Sequence, residues 1–104
     1  MNQVQPQEAH AVAGSGHAVI LDVRGHDERA YGFIPGSLHI PLHELPQRHQ
    51  ELPKDKVIVC QCASGGRSMS ATRFLEQAGF RASNLVGGIG HWHMTGLPVV
   101  RGDP

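Results

Sequence analysis

The sequence predicts an α/β fold built on a parallel sheet, and three observations lead to this prediction. Short apolar segments alternate with helical segments, which is the order that a parallel sheet requires. Segment 18–23 is almost continuously apolar, as strands are when both of their faces are buried. The 104 residues suit a single domain over 1–104, with its core expected at about 5–100 and no internal repeat or low-complexity linker.

Four elements are expected in the first half of the chain: helix 6–13, strand 18–23, helix 26–31 and strand 37–40. Pro6 suits a first helical turn, because its missing amide hydrogen would have no partner there. Glycine-rich segment 14–16 ends the first helix, and Gly32 ends the second. Asp22 lies at the carboxyl end of its strand, where open α/β sheets place their functional residues.

Five elements are expected in the second half: polar helix 42–50, strand 57–60, helix 69–78, strand 84–86 and a helix that carries Trp92. Pro46 limits the regularity of the first of these helices. Apolar residues at helical spacing mark 69–78 as an amphipathic helix, which Gly79 ends. Segment 97–100 is expected to form a closing tail.

Composition and charge narrow the functional class. Nine basic residues balance nine acidic ones, and without a basic run the chain is not expected to bind nucleic acid. Its apolar runs are too short to cross a membrane, and its N-terminus lacks the features of a secretory signal. Cys60 and Cys62 are too few for a disulfide framework and suit a reducing compartment. A cytoplasmic protein is therefore expected.

Cys62 stands at the junction of strand 57–60 and helix 69–78, within a loop of mostly small residues. The residues that follow it are Ala63, Ser64, Gly65, Gly66 and Arg67. Backbone amides of such a loop can turn inward around one point, and the following helix adds its positive end. Both effects favour the thiolate, so we expect the pKa of Cys62 to lie below the ordinary cysteine value of about 8.5. The same donors would hold a negative group on the sulfur, as in a covalent intermediate.

The length of this loop limits the group that it can enclose. Cys62 and Arg67 form a Cys-x4-Arg loop, whereas a ring that wraps a tetrahedral phosphate typically has the longer spacing Cys-x5-Arg. Counted back from Arg67, the longer spacing falls on Gln61. A single added sulfur atom therefore fits this loop better than a phosphate does.

Four segments, taken in order along the chain, carry a family resemblance. They are Leu21-Asp22-Val23-Arg24 with Glu28, Gly32-Phe33-Ile34-Pro35-Gly36-Ser37 with Ile40-Pro41, the loop 62–68, and Gly87-Gly88 with Trp92 and Gly96-Leu97-Pro98-Val99. In this order they resemble the signatures of single-domain rhodaneses, the sulfurtransferases. Phe33 departs from the family's usual histidine, and we interpret that position as structural. The resemblance covers about 5–100 and implies a rhodanese-like fold, a five-stranded parallel sheet with helices on both faces.

The resemblance also implies an activity, the ping-pong transfer of sulfur. A donor such as thiosulfate or a persulfide would load Cys62, and the persulfide would pass its sulfur to a thiol or cyanide acceptor. Cys62 would be nucleophile and carrier, while the backbone amides of 63–67 would stabilise the persulfide. The implied partners are these small molecules, with a protein sulfur carrier as a further candidate. No metal and no organic cofactor are implied.

Several residues near the loop admit two interpretations. Asp22, Arg24 and Glu28 can pair with one another as a structural ion network, which we favour, or take part in acid–base catalysis. Arg67 can attract anionic donors, or it can anchor the loop on a carboxylate such as Glu28. Cys60 extends an apolar strand, so core packing is favoured over a redox role.

The histidines invite a metal-binding hypothesis that their spacing disfavours. His91 and His93 lie two positions apart on a predicted helix, which points their side chains about 200° apart. We therefore interpret the histidines as surface residues, and we expect Trp92 to lie in the core.

A sulfurtransferase is the function that the sequence predicts, and two alternatives remain. One is a phosphatase or arsenate reductase on the same fold, which the short loop disfavours. The other is a non-catalytic binding module that keeps the fold for partner recognition. The intact cysteine loop argues against such a module.

Overall fold

The computed structural model of the protein describes residues 2–101 and places five strands in one parallel sheet. The strands of the molecule are β1 (Asn2–Val4), β2 (Ala18–Asp22), β3 (Gly32–Phe33), β4 (Leu38–His39), β5 (Val57–Gln61), β6 (Ala82–Leu85) and β7 (Val100–Arg101). The order in the sheet is β1-β6-β5-β2-β4, and neighbouring strands are parallel. β3 and β7 form a separate antiparallel pair. The predicted α/β class and parallel sheet are confirmed.

Helices cover both faces of the sheet. They are α1 (Pro6–Gly14), α2 (His26–Tyr31), α3 (Leu45–Arg48), α4 (Gly66–Gln77) and α5 (Gly88–Met94). On one face, α3 and α4 contribute Leu45 and Leu75 to an apolar cluster. On the other face, α1 and α5 bury Ala9 and Trp92. Trp92 is 1% exposed, which confirms its predicted place in the core.

The central strand β5 is apolar at successive positions because both of its faces are covered. Cys60 belongs to the cluster under α4, whereas Val59 belongs to the cluster under α1 and α5. Parallel strands end at the same edge of a sheet, and here the carboxyl-terminal residues Asp22 and Gln61 are register partners. The residue after β5, Cys62, therefore lies at the edge where such folds carry their sites.

The sequence predicts neither β1 nor β7. β1 has only three residues, and the first two are exposed and polar, so it carries no hydrophobic pattern. It is an edge strand held by parallel pairing, with Val4 opposite Leu85. β7 begins within the expected closing tail, and Val100 pairs with Phe33. Both strands depend on partners that are distant in sequence, which local patterns do not reveal.

The largest differences from the expected boundaries concern α4, segment 42–50 and β6. α4 begins at Gly66 rather than at 69. Gly65 takes a left-handed conformation (φ +119°) as the residue before the helix, so the helix begins at the next residue. Segment 42–50 divides into short 3-10 turns around α3, in keeping with the irregularity expected from Pro46. β6 spans 82–85 rather than 84–86. Within residues 2–101, no helix has the length and apolar character needed to cross a membrane.

Candidate active site

Cys62 occupies the first position after β5. Its side chain lies on the α4 side of the sheet, in the same apolar cluster as Cys60. Cys62 is only 1% exposed, so bulk water barely reaches the sulfur. Because little solvent screens it, the sulfur interacts more strongly with the hydrogen-bond donors around it.

The loop and the first turn of α4 supply polar groups to the Cys62 sulfur. The Gly65 amide donates to Sγ at 3.0 Å, and the Ser68 amide donates at 3.4 Å. The Ser68 hydroxyl lies 3.4 Å from Sγ and accepts from the protonated thiol. Burial raises the pKa of Cys62, but the hydrogen bonds from Ser68, Gly65 and Ser64 outweigh this effect and bring the pKa below its ordinary value. Cys62 is therefore the candidate nucleophile.

The turn between β6 and α5 packs against the backbone of the cysteine loop. The Cys62 carbonyl accepts hydrogen bonds from the Ile89 amide at 2.9 Å and from Gln61 Nε2 at 2.9 Å. Gly88 (φ +62°) lies so close that an added Cβ would overlap the Cys62 carbonyl oxygen and come within 2.7 Å of the Ala63 carbonyl carbon. Because Gly88 has no side chain, a second backbone segment can pack directly against the loop.

Arg67 forms a two-pronged ion pair with Glu28, at 2.6 and 2.8 Å. The Gly25 amide donates to the same carboxylate at 3.0 Å. The hydrogen bonds from Arg67 hold the pKa of Glu28 at about 2, against the opposing effect of partial burial. Of the two interpretations of Arg67, this geometry supports the anchor, which ties the start of α4 to α2.

Asp22 is fully buried, and two arginines surround its carboxylate. Arg24 donates to both carboxylate oxygens, from Nε at 2.9 Å and from Nη2 at 2.8 Å. Arg29 approaches the carboxylate at 3.5 Å. With its oxygens occupied in this way, Asp22 fits a structural ion network better than acid–base catalysis. Glu28, the third residue considered for this network, pairs with Arg67, which is the partner named in the anchoring interpretation of Arg67.

Cys60 is fully buried on the same side of the sheet as Cys62. Burial raises the pKa of its thiol to about 12, and the nearby Cys62 contributes in the same direction. The Cys60 thiol therefore stays protonated at neutral pH, as a core residue would. Its place in the core agrees with the expectation from the apolar strand.

Sequence reasoning misses two buried polar residues of the site, Ser68 and Asn84. Ser68 returns to the sulfur because α4 begins inside the loop, so that its first turn faces Cys62. The Ser68 hydroxyl also contacts Asn84 Oδ1. Asn84 is the register partner of Cys60 on β6, which places it on the same face of the sheet. β6 is Ala-Ser-Asn-Leu, with polar Ser83 beside Asn84, so the local pattern of the strand does not single Asn84 out.

His91 and His93, the pair considered for a metal, meet different surroundings on α5. His91 Nδ1 lies 2.9 Å from the Val86 carbonyl oxygen, whereas His93 is exposed. In the described range 2–101, no group of three or more His, Cys, Asp or Glu side chains is arranged to hold a metal ion.

Glu28→Gln is expected to remove the part of the fold's stability that depends on the Glu28–Arg67 ion pair and is lost in acid. The folded-state pKa of Glu28 is depressed, so the pair contributes fully above the ordinary value of 4.5 and loses its contribution as the pH falls toward about 2. The Glu28 and Arg67 side chains are 38% and 41% exposed. Solvent screening therefore limits the loss at pH 7 to less than about 1 kcal/mol.

The measurement is the melting temperature of wild type and variant between pH 7 and pH 2.5. The difference between the two proteins is expected to shrink as the pH falls below about 4.5. Glu8→Gln, on the exposed side of α1, is the matched control and is expected to show no such trend. A difference that stays constant over this range would contradict the proposed contribution of the ion pair.

This α/β domain holds a buried cysteine among backbone amides at the carboxyl edge of a parallel sheet. Comparison with known proteins shows which family shares this fold. The model of the rhodanese-like domain family matches residues 5–95. The sulfurtransferase of Allochromatium vinosum is 38% identical over 102 residues, which cover 96% of this chain and 95% of that protein. The thiosulfate sulfurtransferase GlpE of Stutzerimonas stutzeri is 35% identical over 94 residues, covering 89% of this chain and 85% of that protein.

Solved structures show the same relationship. The crystal structure of a rhodanese-related protein from Thermoplasma volcanium matches with a TM-score of 0.89 at 33% identity. The match covers 96% of this chain and 98% of that chain. The chain therefore belongs to the rhodanese-like domain family, as its four sequence segments suggest.

Proposed function

We propose that this protein is a sulfurtransferase that carries sulfur as a persulfide on Cys62. The observation that carries the proposal is the buried Sγ atom, which accepts hydrogen bonds from the Gly65 and Ser68 amides. These donors stabilise the Cys62 thiolate for attack, and they stabilise it again when it is released from the persulfide. Relatives whose names include sulfurtransferase support the same reaction class.

In the first half-reaction, the Cys62 thiolate attacks the outer sulfur of thiosulfate. A new sulfur–sulfur bond forms, the bond within thiosulfate breaks, and sulfite leaves with the electron pair. The amides of Gly66 and Arg67 belong to the first turn of α4, where helical amides have no intrahelical acceptor. They would be available to the outer sulfur of the persulfide.

In the second half-reaction, a nucleophilic acceptor attacks the outer sulfur and releases the Cys62 thiolate. Cyanide would leave as thiocyanate, and a thiolate would leave as a persulfide. A persulfide can replace thiosulfate as donor, and a protein sulfur carrier can replace the small acceptor. Both cysteines are free thiols in the structure, which suits a reducing compartment, and we place the protein in the cytoplasm.

The geometry does not favour a phosphatase. Because α4 starts at Gly66, the irregular part of the loop is restricted to 63–65. The Arg67 side chain is held by Glu28 rather than turned toward a bound anion. The loop therefore has little room for a tetrahedral phosphate, and the Arg67 guanidinium is not directed toward one. A single added sulfur atom is smaller and does not require a cation.

Steady-state kinetics with thiosulfate and cyanide tests the proposal. Thiocyanate formation is expected, with parallel lines in double-reciprocal plots, because a covalent carrier gives ping-pong kinetics. Hydrolysis of an aryl phosphate in the same preparation is expected to be negligible. Thiocyanate formation no faster than in buffer, or Cys62-dependent phosphatase turnover that exceeds it, would overturn the assignment.

A further inference from the structure

A line of polar side chains runs from the Cys62 sulfur to the surface of the sheet edge. The Ser68 hydroxyl lies 3.4 Å from Sγ and also contacts Asn84 Oδ1. Asn84 Nδ2 lies 3.3 Å from Gln3 Oε1, on the exposed edge strand β1. Ser68 and Asn84 are 0% and 2% exposed, so the interior of this line is shielded from water.

The direction of these hydrogen bonds depends on whether Cys62 carries a proton. In the thiol form, S–H donates to Ser68 Oγ, the Ser68 hydroxyl donates to Asn84 Oδ1, and the Asn84 amide donates to Gln3. The serine has only one hydroxyl hydrogen. When Cys62 ionises, that hydrogen must turn toward sulfur if it is to stabilise the thiolate, and Asn84 Oδ1 then loses its donor.

We propose that Asn84 is a positioning residue for the Cys62 thiolate and that it acts through Ser68. Rotation of the Asn84 amide exchanges Oδ1 and Nδ2, so that Nδ2–H donates to Ser68 Oγ and the serine hydroxyl donates to the sulfur. Gln3 is exposed and can rotate its own amide to donate to Asn84 Oδ1. The whole line then points toward Cys62, and every buried polar atom in it keeps a partner.

An amide at position 84 suits this role better than a carboxylate or an alkyl group. A carboxylate only accepts, so it would hold the Ser68 hydroxyl away from the sulfur in both states. With an alkyl group at position 84, the Ser68 hydroxyl of the thiol form could still donate to the Gly65 carbonyl, which lies 3.1 Å from Ser68 Oγ. The thiolate form would have no such substitute for the lost Asn84 donor. Removing the amide is therefore expected to raise the pKa of Cys62.

The test is the pH dependence of Cys62 alkylation by iodoacetamide, with the modified cysteine identified by peptide mass. For Asn84→Leu, the midpoint is expected to move up by about one pH unit, so that the rate at any pH well below the wild-type midpoint falls about tenfold. Asn84→Asp is expected to show a larger shift. Ser83→Ala is the matched control, since Ser83 neighbours Asn84 on β6 but points to the opposite face.

A second variant separates the proposed role from a general structural effect. In a Ser68→Ala background, Asn84→Leu is expected to cause no further shift, because the path to the sulfur is already broken. A folded Asn84→Leu protein with an unchanged midpoint would overturn the proposal, as would an equal shift in the Ser68→Ala background. The proposal rests on Cys62 as the nucleophile of the proposed sulfurtransferase. Alkylation reports its thiolate directly, so the result does not depend on sulfur transfer itself.

Discussion

Cys62→Ser is expected to abolish sulfur transfer while leaving the fold intact. A serine hydroxyl can occupy the same pocket and accept from the Gly65 and Ser68 amides, but it cannot form a persulfide. Oxygen is also a poor nucleophile at its ordinary pKa without an activating base. The turnover of thiosulfate and cyanide should therefore fall to the background rate, with a melting temperature near that of wild type.

Cys60→Ala is the matched control, because it removes the second thiol from the same apolar cluster. Its thiol is fully buried with a pKa raised to about 12, so it supplies no thiolate at neutral pH. Most of the turnover should remain, and the free energy of unfolding should fall by about 1 kcal/mol through lost packing. Complete loss of activity in a folded Cys60→Ala protein would show that Cys60 takes part in the chemistry.

Gly88→Ala is expected to be the most damaging single-atom change near the site. At φ +62° an L-residue is strained, and the new Cβ would overlap the Cys62 carbonyl oxygen. The strain and the overlap together are expected to cost roughly 2–5 kcal/mol. Because the obstacle is the backbone of the cysteine loop, relief of the clash would displace that loop. Turnover should therefore fall together with stability.

Gly14→Ala is the control for adding a methyl group to a glycine. Gly14 lies in the last turn of α1 with open space around its Cα, and its φ is not positive. Alanine there should change the free energy of unfolding by less than about 1 kcal/mol, in the stabilising direction. Urea denaturation of both variants gives the comparison. A Gly88→Ala protein as stable and active as Gly14→Ala would contradict the close packing of the turn on the loop.

The strands and helices that the sequence predicts well are those whose burial leaves a local pattern. β5 is apolar at successive positions because both faces are covered, and α2 spans 26–31 as expected because Gly32 ends it. β1 could not be predicted in this way. It is short, mostly polar, and a strand only because β6 offers its edge.

Some residues of the candidate site could likewise be predicted from local sequence, and others could not. Cys62 and its glycine-rich loop could be predicted because a thiol between a strand and a helix has a local signature. The partner of Arg67 could only be narrowed to a carboxylate, since Glu28 is 39 positions away in the chain. Ser68 and Asn84 were missed because their contact depends on where α4 starts and on the register of β6 against β5.

The intact mass of the protein tests whether Cys62 carries transferred sulfur. Incubation with thiosulfate should add the mass of one sulfur atom, and peptide mapping should place it on Cys62. Cyanide should then remove it, while Cys62→Ser should gain nothing at any stage. An unchanged mass with thiosulfate and with persulfide donors would contradict the claim and favour a binding module that keeps the fold without the chemistry.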